Sequence, residues 1–238
     1  MADQEIQIHE TILLKEITVE FNPEACPHKM EAGTNEITVV YDERDGSAWR
    51  SKGEYQYGTF GAKIKCPDGD TTGLCFTFDL SSTTPVESEP IHSISFYFLG
   101  DNKNTILTSA NITGNEDNGE QKHELGFDCS QGFHDYEMKW CRDFIEWSVD
   151  GKVVRRNERQ EGVEFPKKPM CLSGSVWDAS MVKDGDWAGD YDGGDEPYVC
   201  VWKDVRVPLL TEVAVVEAQV EEDPEDEESV KVDFRSFF

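Results

Sequence analysis

Ile91–Gly100 reads IHSISFYFLG, and the spacing of its apolar residues decides the fold. Ile94, Phe96 and Phe98 fall on one parity, and Ser93, Ser95 and Tyr97 fall on the other. Successive side chains of a β-strand point to opposite faces, so this segment carries one apolar face and one polar face. Working outward, Glu36–Tyr41 (EITVVY), Tyr55–Lys65, Gly73–Leu80, Asp135–Trp140 and Phe144–Val149 alternate or run apolar in the same way. Gly, Pro, Asp and Asn punctuate them, as expected of strands joined by turns. Asp150-Gly151, between Phe144–Val149 and Lys152–Arg155, is the strongest hairpin signal in the chain. No long segment shows a 3.6-residue period. The pattern predicts an all-β, two-sheet jelly-roll sandwich.

The chain has 238 residues, enough for one domain of this class, and 37% hydrophobic residues supply a single sizeable core. Against 22 Lys+Arg stand 49 Asp+Glu, a formal charge of −27. So acidic a surface is repelled by phosphate backbones and anionic lipid, which argues against nucleic-acid and membrane partners. Residues 209–238 hold ten acids and two bases, and Glu221–Glu228 reads EEDPEDEE. This predicts a domain over 1–208 and a solvated acidic tail over 209–238. The first residues, MADQEIQIHETILLKEITVEF, carry neither a basic n-region nor an apolar h-region. A cytoplasmic location is the expectation. Seven cysteines (Cys26, Cys66, Cys75, Cys129, Cys141, Cys171, Cys200) are scattered and never form C-x-x-C, so free thiols are expected and no metal site. The DYDGGDE run (Asp190–Glu196) lacks the alternating ligand spacing of a calcium loop.

Several stretches, in order, resemble glycoside hydrolase family 16, the licheninases and plant xyloglucan endotransglucosylase/hydrolases. They are WRSKGEYQYGTFGAKIKCPDGDTTGLCFTFDLSS (Trp49–Ser82), ISFYFLG (Ile94–Gly100), ELGFDCSQGFHDYEMKW (Glu124–Trp140), FIEWSVDGKVVRR (Phe144–Arg156) and SVWDASMVKDGDWAGDYDGGDEPYVCVWKDV (Ser175–Val205). The resemblance implies a concanavalin-like jelly roll with a cleft across one sheet. It also implies a catalytic strand carrying Glu-x-Asp-x-Glu, whose first Glu is nucleophile and whose last is acid/base. A retaining glycosidase needs two carboxyl groups about 5–5.5 Å apart. The corresponding positions here are Ser93, Ser95 and Tyr97. On this reading the family's carboxylates are lost. His92 falls on the apolar parity and is expected to point inward as a neutral, hydrogen-bonded ring.

The same resemblance places Ala110 and Ile112 on the cleft floor, one register slip away from Asn111, and Trp49, Trp177 and Trp187 along aromatic walls. Arg50 is the basic group best placed to reach the cleft, with a surface ion pair as its alternative. For Trp177 and Trp187, cleft-lining and packing weigh equally, whereas Trp140 and Trp147 read as core. Such a floor would be small, dry and weakly charged, which favours an apolar small-molecule pocket. Three functions follow. The first in rank is a repurposed cleft acting on a small metabolite of plant specialised metabolism by isomerase- or cyclase-type chemistry. In it Tyr97 donates a proton or hydrogen bond while Ser93 and Ser95 orient a carbonyl or hydroxyl. The second is a lectin-like, non-catalytic glycan-binding protein. The third is a scaffold acting through its acidic tail. A monomer with no cofactor is expected throughout.

Overall fold

The computed structural model describes residues 11–13, 17–21, 29–31, 36–42, 46–82, 89–113, 119–194 and 197–209. The acidic tail and Cys26 lie outside the described residues. In chain order the strands are β1 Thr11–Leu13, β2 Ile17–Phe21, β3 Lys29–Glu31, β4 Glu36–Tyr41, β5 Ser47–Tyr55, β6 Gly58–Lys65, β7 Leu74–Ser81 and β8 His92–Leu99. They continue as β9 Thr105–Ile112, β10 Gln121–Glu124, β11 His134–Trp140, β12 Phe144–Val149, β13 Lys152–Glu158, β14 Met170–Asp178 and β15 Tyr198–Pro208. One sheet runs β13-β12-β11-β6-β15-β4-β3, with β1 also paired to β15; the other runs β10-β9-β8-β7-β14-β5-β2. Every described pairing is antiparallel. Among the described residues the sole helical element is a short turn, Val182–Gly185. The expected jelly-roll sandwich is the observed one.

Parity governs the packing. Phe76, Phe78 and Leu80 of β7, and Ile94, Phe96 and Phe98 of β8, are buried between the sheets. They meet Phe60, Tyr136, Met138, Trp140, Trp147 and Trp202 of the facing sheet in one continuous core. Trp140 and Trp147 are both 0% exposed, the core positions expected of them. Aromatic rings bury the largest apolar areas and settle edge-to-face, as Phe98 does on Tyr136 at 4.8 Å. The predicted hairpin forms, with Asp150 and Gly151 both at positive φ (49° and 75°), the conformation a two-residue turn of this kind demands. His92 is buried; its Nδ1 accepts the Lys167 backbone N–H at 3.1 Å, and burial lowers its pKa, so the ring is neutral.

Three expected cleft residues turn inward instead. Trp49 is fully buried and meets Trp202 edge-on, ring centroids 6.2 Å apart. Its strand neighbour is Gly174, where a Cβ would come within 2.4 Å of the indole nitrogen. That missing side chain is the space the ring occupies. Ile112, also buried, stands opposite His92, and Ala110 stands opposite Ile94 and packs on the core. The register of β9 is therefore the slipped alternative, and Ala110 and Ile112 face inward.

Candidate functional site: the outer face of the second sheet

Antiparallel partners share a face, so the ladders define the floor residue by residue. On β8 the outward set is Ser93, Ser95 and Tyr97, as the sequence requires. Ser93 pairs with Asn111 and Ser81, and Ser95 with Ser109 and Asp79. Tyr97 pairs with Leu107 and Thr77. Across β7, Asp79 pairs with Ser173 of β14, and Ser173 pairs with Arg50 of β5. One transverse row thus reads Arg50, Ser173, Asp79, Ser95, Ser109. It is a row of hydroxyls holding one carboxylate and one guanidinium, far more polar than the floor expected from Ala110 and Ile112.

Asp79 was not singled out in the sequence, although its signal is there. FTFDLS alternates, and Asp79 shares parity with Thr77 and Ser81, so it had to leave the core on the side of Ser95. Its Oδ1 accepts from Ser173 Oγ at 3.1 Å and from Thr77 Oγ1 at 3.3 Å. Thr77 Oγ1 is also 2.6 Å from Ser175 Oγ. Burial pushes the carboxyl up to about 6, against the lowering effect of the two hydroxyls and of Arg50. Arg50 is half-buried on the same face and acts on Asp79 through space. Its cleft position, rather than the surface alternative, is the one observed.

The other end of the face is apolar and closed over. Trp177, outward on β14, stacks on Trp187 at 5.9 Å, and Trp187 meets the Tyr97 ring edge-on at 5.4 Å. Cys75, Leu99, Leu107, Ala179 and Ala188 complete this second cluster. The segment from Ala179 to Gly189 lies over it, with Lys183 and Asp184 both at φ 53°. Lys183 Nζ reaches Glu120 Oε2 at 3.2 Å, tying that segment to the approach of β10. Burial drives the Tyr97 phenol up to about 12, opposed by a hydrogen bond with Ser95 and reinforced by the charges of Asp79 and Glu120. So weak an acid, packed under Trp187, is a space-filler with a hydroxyl edge. It is poorly suited to proton transfer near neutrality. The structure brings together Ser93, Ser95, Tyr97, Arg50, Trp177 and Trp187, and excludes Trp49, Ala110 and Ile112. Among the described residues no group of three or more His, Cys, Asp or Glu could hold a metal ion.

Residues 15–198 match Glycosyl hydrolases family 16. The chain belongs to that family. It is 37% identical over 161 residues to a xyloglucan endotransglucosylase/hydrolase of Brassica oleracea var. botrytis, covering 66% of this chain and 52% of the relative. A probable xyloglucan endotransglucosylase/hydrolase of Nicotiana tabacum is 33% identical over 175 residues, covering 71% and 56%. The chain thus spans about half the length of the curated relatives it matches. Among solved structures, a Bacillus licheniformis β-glucanase superposes with a TM-score of 0.64 at 20% identity, covering 84% of this chain and 98% of that one. A Crh5 transglycosylase in complex with NAG superposes with a TM-score of 0.67 at 20% identity, covering 84% and 83%.

These likenesses overturn the first-ranked expectation. The relatives named for xyloglucan point to carbohydrate activity, not to an isomerase or cyclase acting on a small metabolite. The physical ground of that expectation fails with it. The dry floor rested on Ala110 and Ile112, and Ser109 and Asn111 stand there instead.

Proposed function

We propose that this protein recognises a plant β-glucan-type glycan, xyloglucan first, on the outer face of the β2–β10 sheet. On this reading it lacks the family's carboxylate pair and holds the glycan without cleaving it at an enzymatic rate. The observation that carries the proposal is the outward set Ser93, Ser95 and Tyr97 within a hydroxyl-rich floor that contains one carboxylate, Asp79. Splitting a glycosidic bond takes two carboxyl groups, about 5–5.5 Å apart for retention or about 6.5–9.5 Å for inversion. Glu120, whose charge acts on Tyr97 from the other end of the face, is held by Lys183 at 3.2 Å. Hydroxyls, Asn111, Arg50 and Asp79 match a ligand rich in hydroxyl groups, and Trp177 and Trp187 offer flat apolar faces beside them. The glycan named for the relatives supports xyloglucan as the first ligand to try.

The test pairs binding with turnover. Purified protein titrated with xyloglucan should give saturable binding, and long incubation with xyloglucan, donor and acceptor oligosaccharides should leave the chain-length distribution unchanged. Turnover within about a hundredfold of an active family member would contradict the lost-carboxylate reading, since removal of one acid/base group alone costs about 10²–10⁴.

A further inference from the structure

The geometry points to Asp79 and Arg50 as a paired gripping element for a vicinal diol of a neutral pyranose. This inference rests on the glycan-binding reading and assigns it residues.

Three observations carry it. Both hydrogen bonds that Asp79 accepts go to Oδ1, so among the described residues Oδ2 accepts none. Arg50 lies in the same transverse row with Ser173 between, near enough to act electrostatically on Asp79 yet without a direct ion pair among the described residues. Asp79 is partly exposed, while Thr77, Ser95, Ser109 and Ser173 around it are buried, so the carboxylate is the group the floor offers to a ligand. An acceptor-only carboxylate beside a donor-only guanidinium is complementary to two adjacent hydroxyls, one donating and one accepting. Neither partner lies on β8.

Ionisation sets the pH response. The groups facing Asp79 are Cys75 on its own strand, Ser95 and Tyr97 on β8, Ser173, Ser175 and Cys171 on β14, and Arg50 on β5, with Lys52 and Glu54 exposed farther along that strand. Glu120 approaches over Tyr97. Of these, burial raises the thiol Cys75 and the phenol Tyr97 above their ordinary values, and it raises the Asp79 carboxyl to about 6. Protonation turns its strong acceptor into a donor and weakens the charge-assisted bond.

The experiment is calorimetric titration of the full chain with a xyloglucan oligosaccharide at pH 5.0, 6.0 and 7.5. Wild type should bind about tenfold more weakly at pH 5.0 than at 7.5. Asp79→Asn should bind about tenfold more weakly at pH 7.5 and lose the pH dependence. Arg50→Gln should weaken binding at every pH and move the midpoint upward, because the guanidinium holds the carboxyl pKa down. If wild type binds but Asp79→Asn keeps both affinity and pH profile, the inference is overturned while glycan binding stands. If wild type fails to bind at any of the three pH values, the glycan-binding reading falls and the inference with it. Should Asp79→Asn not fold, an unmoved midpoint in Arg50→Gln overturns the inference independently.

Discussion

Asp79 is a carboxyl held where its charge is costly, and that has a thermodynamic signature. Its pKa in the folded protein, about 6, lies above the ordinary carboxylate value. A raised folded pKa contributes stability that is present below the unfolded value and lost as pH rises through 6. Asp79→Asn should therefore stabilise the protein at pH 7.5 by about 1–2 kcal/mol, allowing for partial exposure, and leave it unchanged at pH 4. Chemical denaturation at the two pH values checks this; destabilisation at pH 7.5 would show the ionised carboxylate to be a structural anchor. Tyr97 answers to a different physics. Its ring is packed on Trp187, so Tyr97→Ala should cost about 2–4 kcal/mol, whereas Tyr97→Phe should cost about 1 kcal/mol or less. Equal losses would mean that the hydroxyl, not the ring, matters to the fold.

At the scale of strands, parity was legible in the sequence and register was not. The faces of β8 follow from its own alternation, and so does the inward His92. The face of β9 depended on its alignment to β8, and TILTSANI has apolar and small residues on both parities, so neither register was excluded by pattern alone. Trp49 shows the same limit. Serine, tryptophan, serine at 47, 49 and 51 do not mark an apolar face, and the clue is Gly174 on the adjacent strand, whose missing Cβ leaves room for the ring. Two substitutions test this packing. Trp49→Ala should cost about 3–5 kcal/mol and Gly174→Ala about 1–3 kcal/mol in denaturant unfolding. If Trp49→Ala instead leaves stability intact and abolishes glycan binding, the ring belongs to the cleft. The row that holds Asp79 is not legible in the sequence because it joins five separated segments, and only the ladder order brings Arg50, Ser173, Asp79, Ser95 and Ser109 side by side.

The molecule as a whole is an acidic sandwich with one aromatic-rich core, whose outer second sheet divides into a hydroxyl-lined floor and a capped aromatic end. Among the described residues Cys66, Cys75, Cys129, Cys141 and Cys200 are free thiols. Titration of the denatured chain, prepared without reductant and kept from air, should find close to seven thiols, one for each cysteine of the sequence. A value near five or lower would place a disulfide in the native chain. The most direct test of the central claim measures binding and cleavage on one sample: calorimetric titration with a xyloglucan oligosaccharide, followed by mass spectrometry of that oligosaccharide after overnight incubation. The account predicts saturable binding with the oligosaccharide recovered intact and unextended. Cleaved or transferred products, or the absence of any binding, would contradict it.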